Sequence, residues 1–160
     1  MKFTELALPG AFVVELEPIV DARGSFARSF CREDFLRHGL EADVAQCNVS
    51  YNESAGTLRG MHYQREPHGE AKLIRCVRGT IYDVIVDLRS GSPTCTRWLG
   101  IELRDDSPRT LYVPRGMAHG FVTLSDHVEL HYQMSAPYVP EAAAGFRWND
   151  PAFAIEWPVE

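Results

Sequence analysis

Ten prolines and twelve glycines are scattered through 160 residues, and each one interrupts or weakens a helix that would run through it. What survives between them is a series of short runs rich in β-branched and aromatic residues: "AFVVELEPIV", "VAQCNVSYN", "KLIRCVRGTIYDVIVDLRSGSP", "RWLGIELRDDSP", "TLYVPRG" and "HGFVTLSDHVELHYQMS". Gly, Pro, Asn, Asp and Ser bound these runs, as turns between strands require. "REDFLRHG" is the one clear helical piece, with Gly39 placed to cap its C-terminus. The pattern predicts an all-β chain, a sandwich or jelly-roll barrel with one or two short helices. No linker or repeat divides it, so residues 1–160 are expected to form a single domain.

Strand parity sharpens this. In "IYDVIVDL", Ile81, Asp83, Ile85 and Asp87 share one face, and Tyr82, Val84, Val86 and Leu88 share the other. In "VELHYQM", Val128, Leu130, Tyr132 and Met134 share a face that points inward. Tyr132 then projects into the barrel with a hydroxyl that needs a partner. Either a satisfied core tyrosine or a site residue fits that position.

A formal net charge of −6 and a pI near 5.5 argue against a general nucleic-acid binder, which would carry a basic face. Cys31, Cys47, Cys76 and Cys95 form no C-x-x-C pair and are expected to be buried free thiols. The N-terminal "MKFTELALPG" has no apolar core of a leader, and no run approaches a membrane span. A soluble cytoplasmic protein is expected.

Chemistry concentrates in "GTLRGMHYQREPHGEAK", Gly56 to Lys72. With the later "PRGMAHGF" it resembles the cupin superfamily, whose metal-binding members use an H-x-H pair, a following Glu and a more distant His. That ligand set suits iron, manganese, nickel or zinc. Here the pair is broken, because His62 is followed by Tyr63 and Gln64. Glu70 and His119 remain, and His68 lies in a Pro/Gly turn. No bound metal is expected. A neutral imidazole at His62 can instead accept a proton near pH 7. A tyrosine can donate one, and Lys72 with nearby arginines can stabilise oxyanions or phosphates. That inventory suits proton abstraction beside a carbonyl and reprotonation from the other face.

Five blocks carry a more specific resemblance: "DARGSF", "GTLRGMHYQ", "AKLIRCVRGTIYDVIVDLRSGSPT", "YVPRGMAHGFVTLSD" and "WNDPAFAIEWP". In this order, from about residue 10 onward, the chain is similar to the dTDP-4-dehydrorhamnose 3,5-epimerase family, sugar-nucleotide epimerases on a cupin-type jelly roll. The resemblance implies that His62 is the general base, Tyr132 the acid on the opposite face, and Lys72 the stabiliser of the enolate at C4. It implies diphosphate contact by Arg59, a grip on phosphate and base by Arg23 with Phe26, and further substrate contacts at Gln46, Asn48, His119 and Tyr138. No metal or organic cofactor is implied. A homodimer formed by strand exchange is, with "AFVVELEPIV" the natural strand to cross.

Several positions admit a plainer role: His119 as a structural barrel histidine, Arg23 as a solvated turn residue, Asp83 as a strand polar with backbone partners. His127 and His131 are expected at the surface. Arg59 and His62 would face opposite sides of a regular strand, so a bulge is predicted at Gly60. The chain also departs from the family pattern. Arg28 and Ala143 stand where rhamnose-pathway members carry Glu near the nucleoside, which leaves dTDP or CDP open as the nucleotide. Those members have, beyond "WP", an aspartate paired to the catalytic histidine. Within the sequence to Glu160, His62 either takes another orienting partner, with Asp83 the first candidate, or works without one. Epimerisation at C3, C5 or both is therefore left open. A non-catalytic sugar-nucleotide binder and a metal-dependent cupin enzyme are the alternatives.

Overall fold

In the computed structural model, which describes residues 1–158, the short runs become thirteen strands and one helix. The order is β1 (Lys2–Glu5), β2 (Phe12–Glu15), β3 (Ile19–Asp21), β4 (Gly24–Phe26), α1 (Arg32–Arg37), β5 (Gln46–Asn52), β6 (Leu58–Gln64) and β7 (Lys72–Arg78). Then follow β8 (Thr80–Asp87), β9 (Trp98–Arg104), β10 (Arg109–Val113), β11 (Met117–Thr123), β12 (Val128–Met134) and β13 (Ala143–Gly145). One sheet has the order β1-β2-β10-β7-β12-β5 and a second the order β13-β6-β11-β8-β9, while β3 and β4 form a separate hairpin. All pairings are antiparallel. The fold is a cupin-type jelly roll, one of the two architectures the strand pattern admits and the one the family resemblance implies.

Parity fixes which residues meet between the sheets. Ile74, Cys76, Leu111, Val113, Val128 and Leu130 from the six-stranded sheet pack on Ile81, Ile85, Leu103, Met117 and Phe121 from the five-stranded one. Each fully buried aliphatic chain in that layer contributes about 1.5–3 kcal/mol. The two outer faces are covered differently. Helix α1 lays Phe35 on Val14, Leu73 and Tyr112. The segment after β13 brings Phe146, Phe153, Ile155 and Trp157 onto Met61, Val84, Val86 and Ala118. The two faces read from "IYDVIVDL" are thus both buried, one inside the barrel and one under this C-terminal segment.

Helix α1 ends as its sequence predicts. Gly39 has φ 71° and donates to Leu36 O at 3.0 Å, and Leu40 donates to Phe35 O at 3.0 Å. Those two bonds make a Schellman turn, which satisfies the last carbonyls. The cysteines are all free, but only Cys76 is buried and Cys47 is exposed. Cys47 lies on β5, an edge strand, on the face opposite Asn48, so parity turns it outward. Among the described residues no helix is long and apolar enough to cross a membrane.

Candidate active site

A cavity of about 390 Å³ opens inside the barrel, and both sheets supply its walls. Arg59, His62 and Gln64 reach it from β6, His119 and Phe121 from β11, Lys72 from β7, Tyr132 and Met134 from β12, and Asn48 and Ser50 from β5. Ala143, Ala144, Glu70 and Tyr138 complete the wall.

Arg59 and His62 share this cavity because the β6–β11 ladder slips. His119 pairs with His62 and Phe121 with Arg59. The single residue Gly120 therefore faces both Gly60 and Met61, which is the bulge predicted at Gly60. Glycine is required on both strands. Gly60 has φ 145°, and a Cβ there would lie 2.6 Å from Gly120 Cα. A Cβ on Gly120 would meet Arg59 O at 2.9 Å and Met61 Sδ at 2.6 Å. Met61 is driven to the opposite face, fully buried under the C-terminal segment.

Lys72 is held by an ion pair. Its Nζ lies 3.2 Å from Glu70 Oε1, with the side chains 9% and 6% exposed. The other Glu70 oxygen accepts from Gln64 Nε2. The same Gln64 amide donates to His68 O at 2.9 Å and Pro137 O at 3.1 Å, and its carbonyl accepts from Val139 N at 2.6 Å. Glu70, a ligand in the metal alternative, is thus committed to Lys72 and Gln64. Among the described residues no three His, Cys, Asp or Glu groups are placed to hold a metal ion. Arg59 Nε donates to Asn52 Oδ1 at 2.7 Å. Gln46 does not line the wall; its Oε1 accepts from Tyr138 N at 2.6 Å and so ties down the rim on which the exposed Tyr138 ring sits.

Burial and charge act in opposite directions on the two candidate proton carriers. Desolvation, reinforced by Lys72, His119 and Arg59, holds the His62 imidazole below its ordinary value. Desolvation and the Asp83 carboxylate push the Tyr132 hydroxyl far up. His62 is therefore a neutral acceptor at neutral pH and Tyr132 a firmly protonated donor.

Asp83 is not the partner of His62. It is fully buried, and its Oδ1 lies 2.7 Å from His119 Nε2. Neither carboxylate oxygen receives a well-aligned hydrogen bond. Burial raises the Asp83 carboxyl above its ordinary value, and His119 and Lys72 oppose that rise. The reason for the different partner is topological: β8 neighbours β11, whereas β6 lies on the far side of β11.

Arg23, Phe26 and Arg28 also depart from expectation, since none lies in the wall of this chain's cavity. The β3–β4 hairpin carries them outward. Arg23 is 90% exposed and bound to Asp21 at 2.7 Å, Phe26 is 75% exposed, and Arg28 is exposed just beyond. Ser50, Met134, Phe121 and Gln64 are wall residues that motif reading missed. The inward parity of β5 and β12, which already marks Asn48 and Tyr132, points to Ser50 and Met134 as well.

A family model described as dTDP-4-dehydrorhamnose 3,5-epimerase matches residues 5–160. The enzyme of that name from Methanothermobacter thermautotrophicus is 42% identical over 160 residues, covering 99% of this chain and 85% of its own. The solved Bacillus anthracis enzyme, with TDP and PPi bound, is 42% identical with a TM-score of 0.95, covering 99% of this chain and 91% of its own. A Streptomyces bikiniensis 3'-monoepimerase solved with dTDP-quinovose is 36% identical with a TM-score of 0.88, covering 96% and 77%. The chain belongs to the dTDP-4-dehydrorhamnose 3,5-epimerase family.

Proposed function

We propose that the cavity binds a dTDP-linked 4-keto-6-deoxyhexose and inverts it beside the ketone, at C3, C5 or both. The observation that carries this reading is the placement of His62 and Tyr132 on different sheets with one cavity between them. A flat enolate in that space meets a base on one face and an acid on the other. His62 Nδ1 or Nε2, kept neutral, takes the proton from the carbon next to the ketone. Lys72, steadied by Glu70, faces the charge that develops on the C4 oxygen. Tyr132 then returns a proton to the opposite face. The step conserves atoms and electrons, since one C–H bond breaks, one forms, and the proton inventory is restored through solvent. Arg59, with Asn48 and Tyr138 near the rim, is assigned to the diphosphate and nucleoside. The dTDP found with related structures favours thymidine over cytidine. A cytoplasmic location belongs to the same proposal.

A panel of dTDP- and CDP-linked 4-keto-6-deoxy sugars in deuterated water tests it. Deuterium is expected at C3 or C5 of the dTDP compound. Tight binding with no exchange would convert the reading to a non-catalytic binding protein, and preferential turnover of the CDP compound would overturn the nucleotide assignment.

The partner is proposed to be a second copy of the chain. Phe12–Glu15, in the segment expected to cross, is held within its own sheet by β1 and β10. The exposed apolar hairpin of Ile19, Val20 and Phe26 is the better candidate for exchange, and it would carry Arg23 to the partner's cavity. Co-expressing an Arg23→Ala/Phe26→Ala chain with a His62→Ala chain tests this. Recovery of activity in mixed dimers is expected, whereas monomers in sedimentation would sink it.

A further inference from the structure

We infer that Asp83 is the positioning carboxylate of His119, holding that imidazole as a hydrogen-bond donor to the ligand's ketone oxygen beside Lys72. The inference rests on the epimerase reading above and concerns a group that touches no ligand itself.

The first support is that the fold has no use for the carboxylate. Asp83 continues the inward row of Ile81 and Ile85, all three fully buried, and neither of its oxygens receives an aligned hydrogen bond. Taking a carboxylate out of water costs several kcal/mol unless something offsets it. A third aliphatic side chain in that row would leave the barrel more stable. The polar contact nearest to it is His119 Nε2 at 2.7 Å, and the Lys72 charge also acts on it.

The second support is where His119 stands. It pairs across the β6–β11 ladder with His62, and its ring and that of Tyr132 make a T-shaped contact at a centroid distance of 6.1 Å. It therefore lies between the base on one sheet and the acid on the other, where the carbonyl of a bound ketone must also lie. The other ionisable groups around the pair are Lys72 and Cys76 from β7, Tyr132 from β12, and His62 and Arg59 from β6. Lys72, Arg59 and, when protonated, His62 are cations, and Asp83 sets a negative charge among them.

The third support is tautomeric. With Nε2 turned to the carboxylate, Nδ1 is the ring nitrogen left for a ligand. The inferred state of the pair holds two protons, one on Nδ1 and the other on Nε2 or on Asp83, and in either arrangement Nδ1–H is a donor. An amide at position 83 breaks this. Its carbonyl would accept from Nε2–H of a neutral ring, and Nδ1 would then be a lone pair facing an oxygen. The ketone oxygen would lose one of two donors at the moment charge builds on it.

The experiment uses the full chain with a 15N-labelled imidazole at His119, alongside Asp83→Asn, His119→Asn and the double variant. Wild type is expected to show a protonated Nδ1 at neutral pH, and Asp83→Asn an unprotonated one. Asp83→Asn is expected to bind dTDP within about twofold of wild type and to lose about 10²-fold in kcat. Adding Asp83→Asn to His119→Asn should cost nothing further, the non-additivity of two groups acting as one. An unprotonated Nδ1 in wild type would overturn the inference, as would an Asp83→Asn kcat within threefold of wild type or an additive double variant. Should Asp83→Asn fail to fold, the wild-type imidazole signal decides alone. If wild type exchanges no proton in any sugar nucleotide, the epimerase reading fails instead, and the nitrogen signal still reports whether Asp83 governs His119.

Discussion

At the scale of single residues, the site works by separating charge states that would coincide in water. His62 is held below the ordinary imidazole value by burial first and by neighbouring cations second. A base with a lowered value stays neutral as pH falls past the point where free histidine charges, about 6.5. The acidic limb of kcat/KM is therefore expected below that pH, and a limb at or above it would contradict the assignment of His62. His62→Ala should lower the exchange rate by about 10²–10⁴-fold, the usual worth of a positioned acid or base, with dTDP affinity nearly unchanged by calorimetry. Lys72→Met makes a different prediction, because it strands Glu70 as a buried, uncompensated carboxylate. Breaking such a pair costs about 3–5 kcal/mol. Lys72→Met/Glu70→Gln should regain most of that stability in denaturant titrations and none of the activity, which separates the lysine's structural role from its chemical one.

At the scale of elements, two glycines on adjacent strands decide whether the site exists. Gly60→Ala adds a Cβ 2.6 Å from Gly120 Cα on a backbone with positive φ, a strain of about 1–3 kcal/mol. Relief requires the ladder to shift, and a shift separates Arg59 from His62. Activity is expected to fall further than the loss of stability explains, as kinetics on the folded fraction would show. This slip was readable in the sequence, because Arg59 and His62 must reach one cavity from positions of opposite parity and a glycine lies between them. The inward faces of β8 and β12 were readable for the same reason, since a period of two leaves no other solution. The partner of Asp83 was not. Parity says that Asp83 points inward, but which strand it meets there depends on sheet order, and β11 rather than β6 is its neighbour. Cys47 misled in a related way: β-branched neighbours mark a strand without saying that it lies at an edge.

At the scale of the whole molecule, the barrel is closed on its two outer faces by material from opposite ends of the chain, with α1 over one sheet and residues 146–157 over the other. The hairpin that projects from it, with Arg23 and Phe26, was legible as a motif but not as an arm, because exposure depends on contacts that local sequence does not encode. Ligand binding should stabilise this assembly as a unit. At dTDP concentrations about 100 times Kd, a gain of about 2.7 kcal/mol is expected from mass action, seen as a rise in Tm of several degrees. The cover over the five-stranded sheet has a spectroscopic consequence. Trp98 and Trp157 pack there, and Trp157 Nε1 donates to Trp148 O at 3.0 Å. None of the chain's three tryptophans belongs to the cavity wall. Intrinsic fluorescence will therefore watch the C-terminal segment lift from the barrel while remaining nearly blind to the nucleotide, and a red shift that precedes loss of far-UV signal would time that undocking within the unfolding reaction.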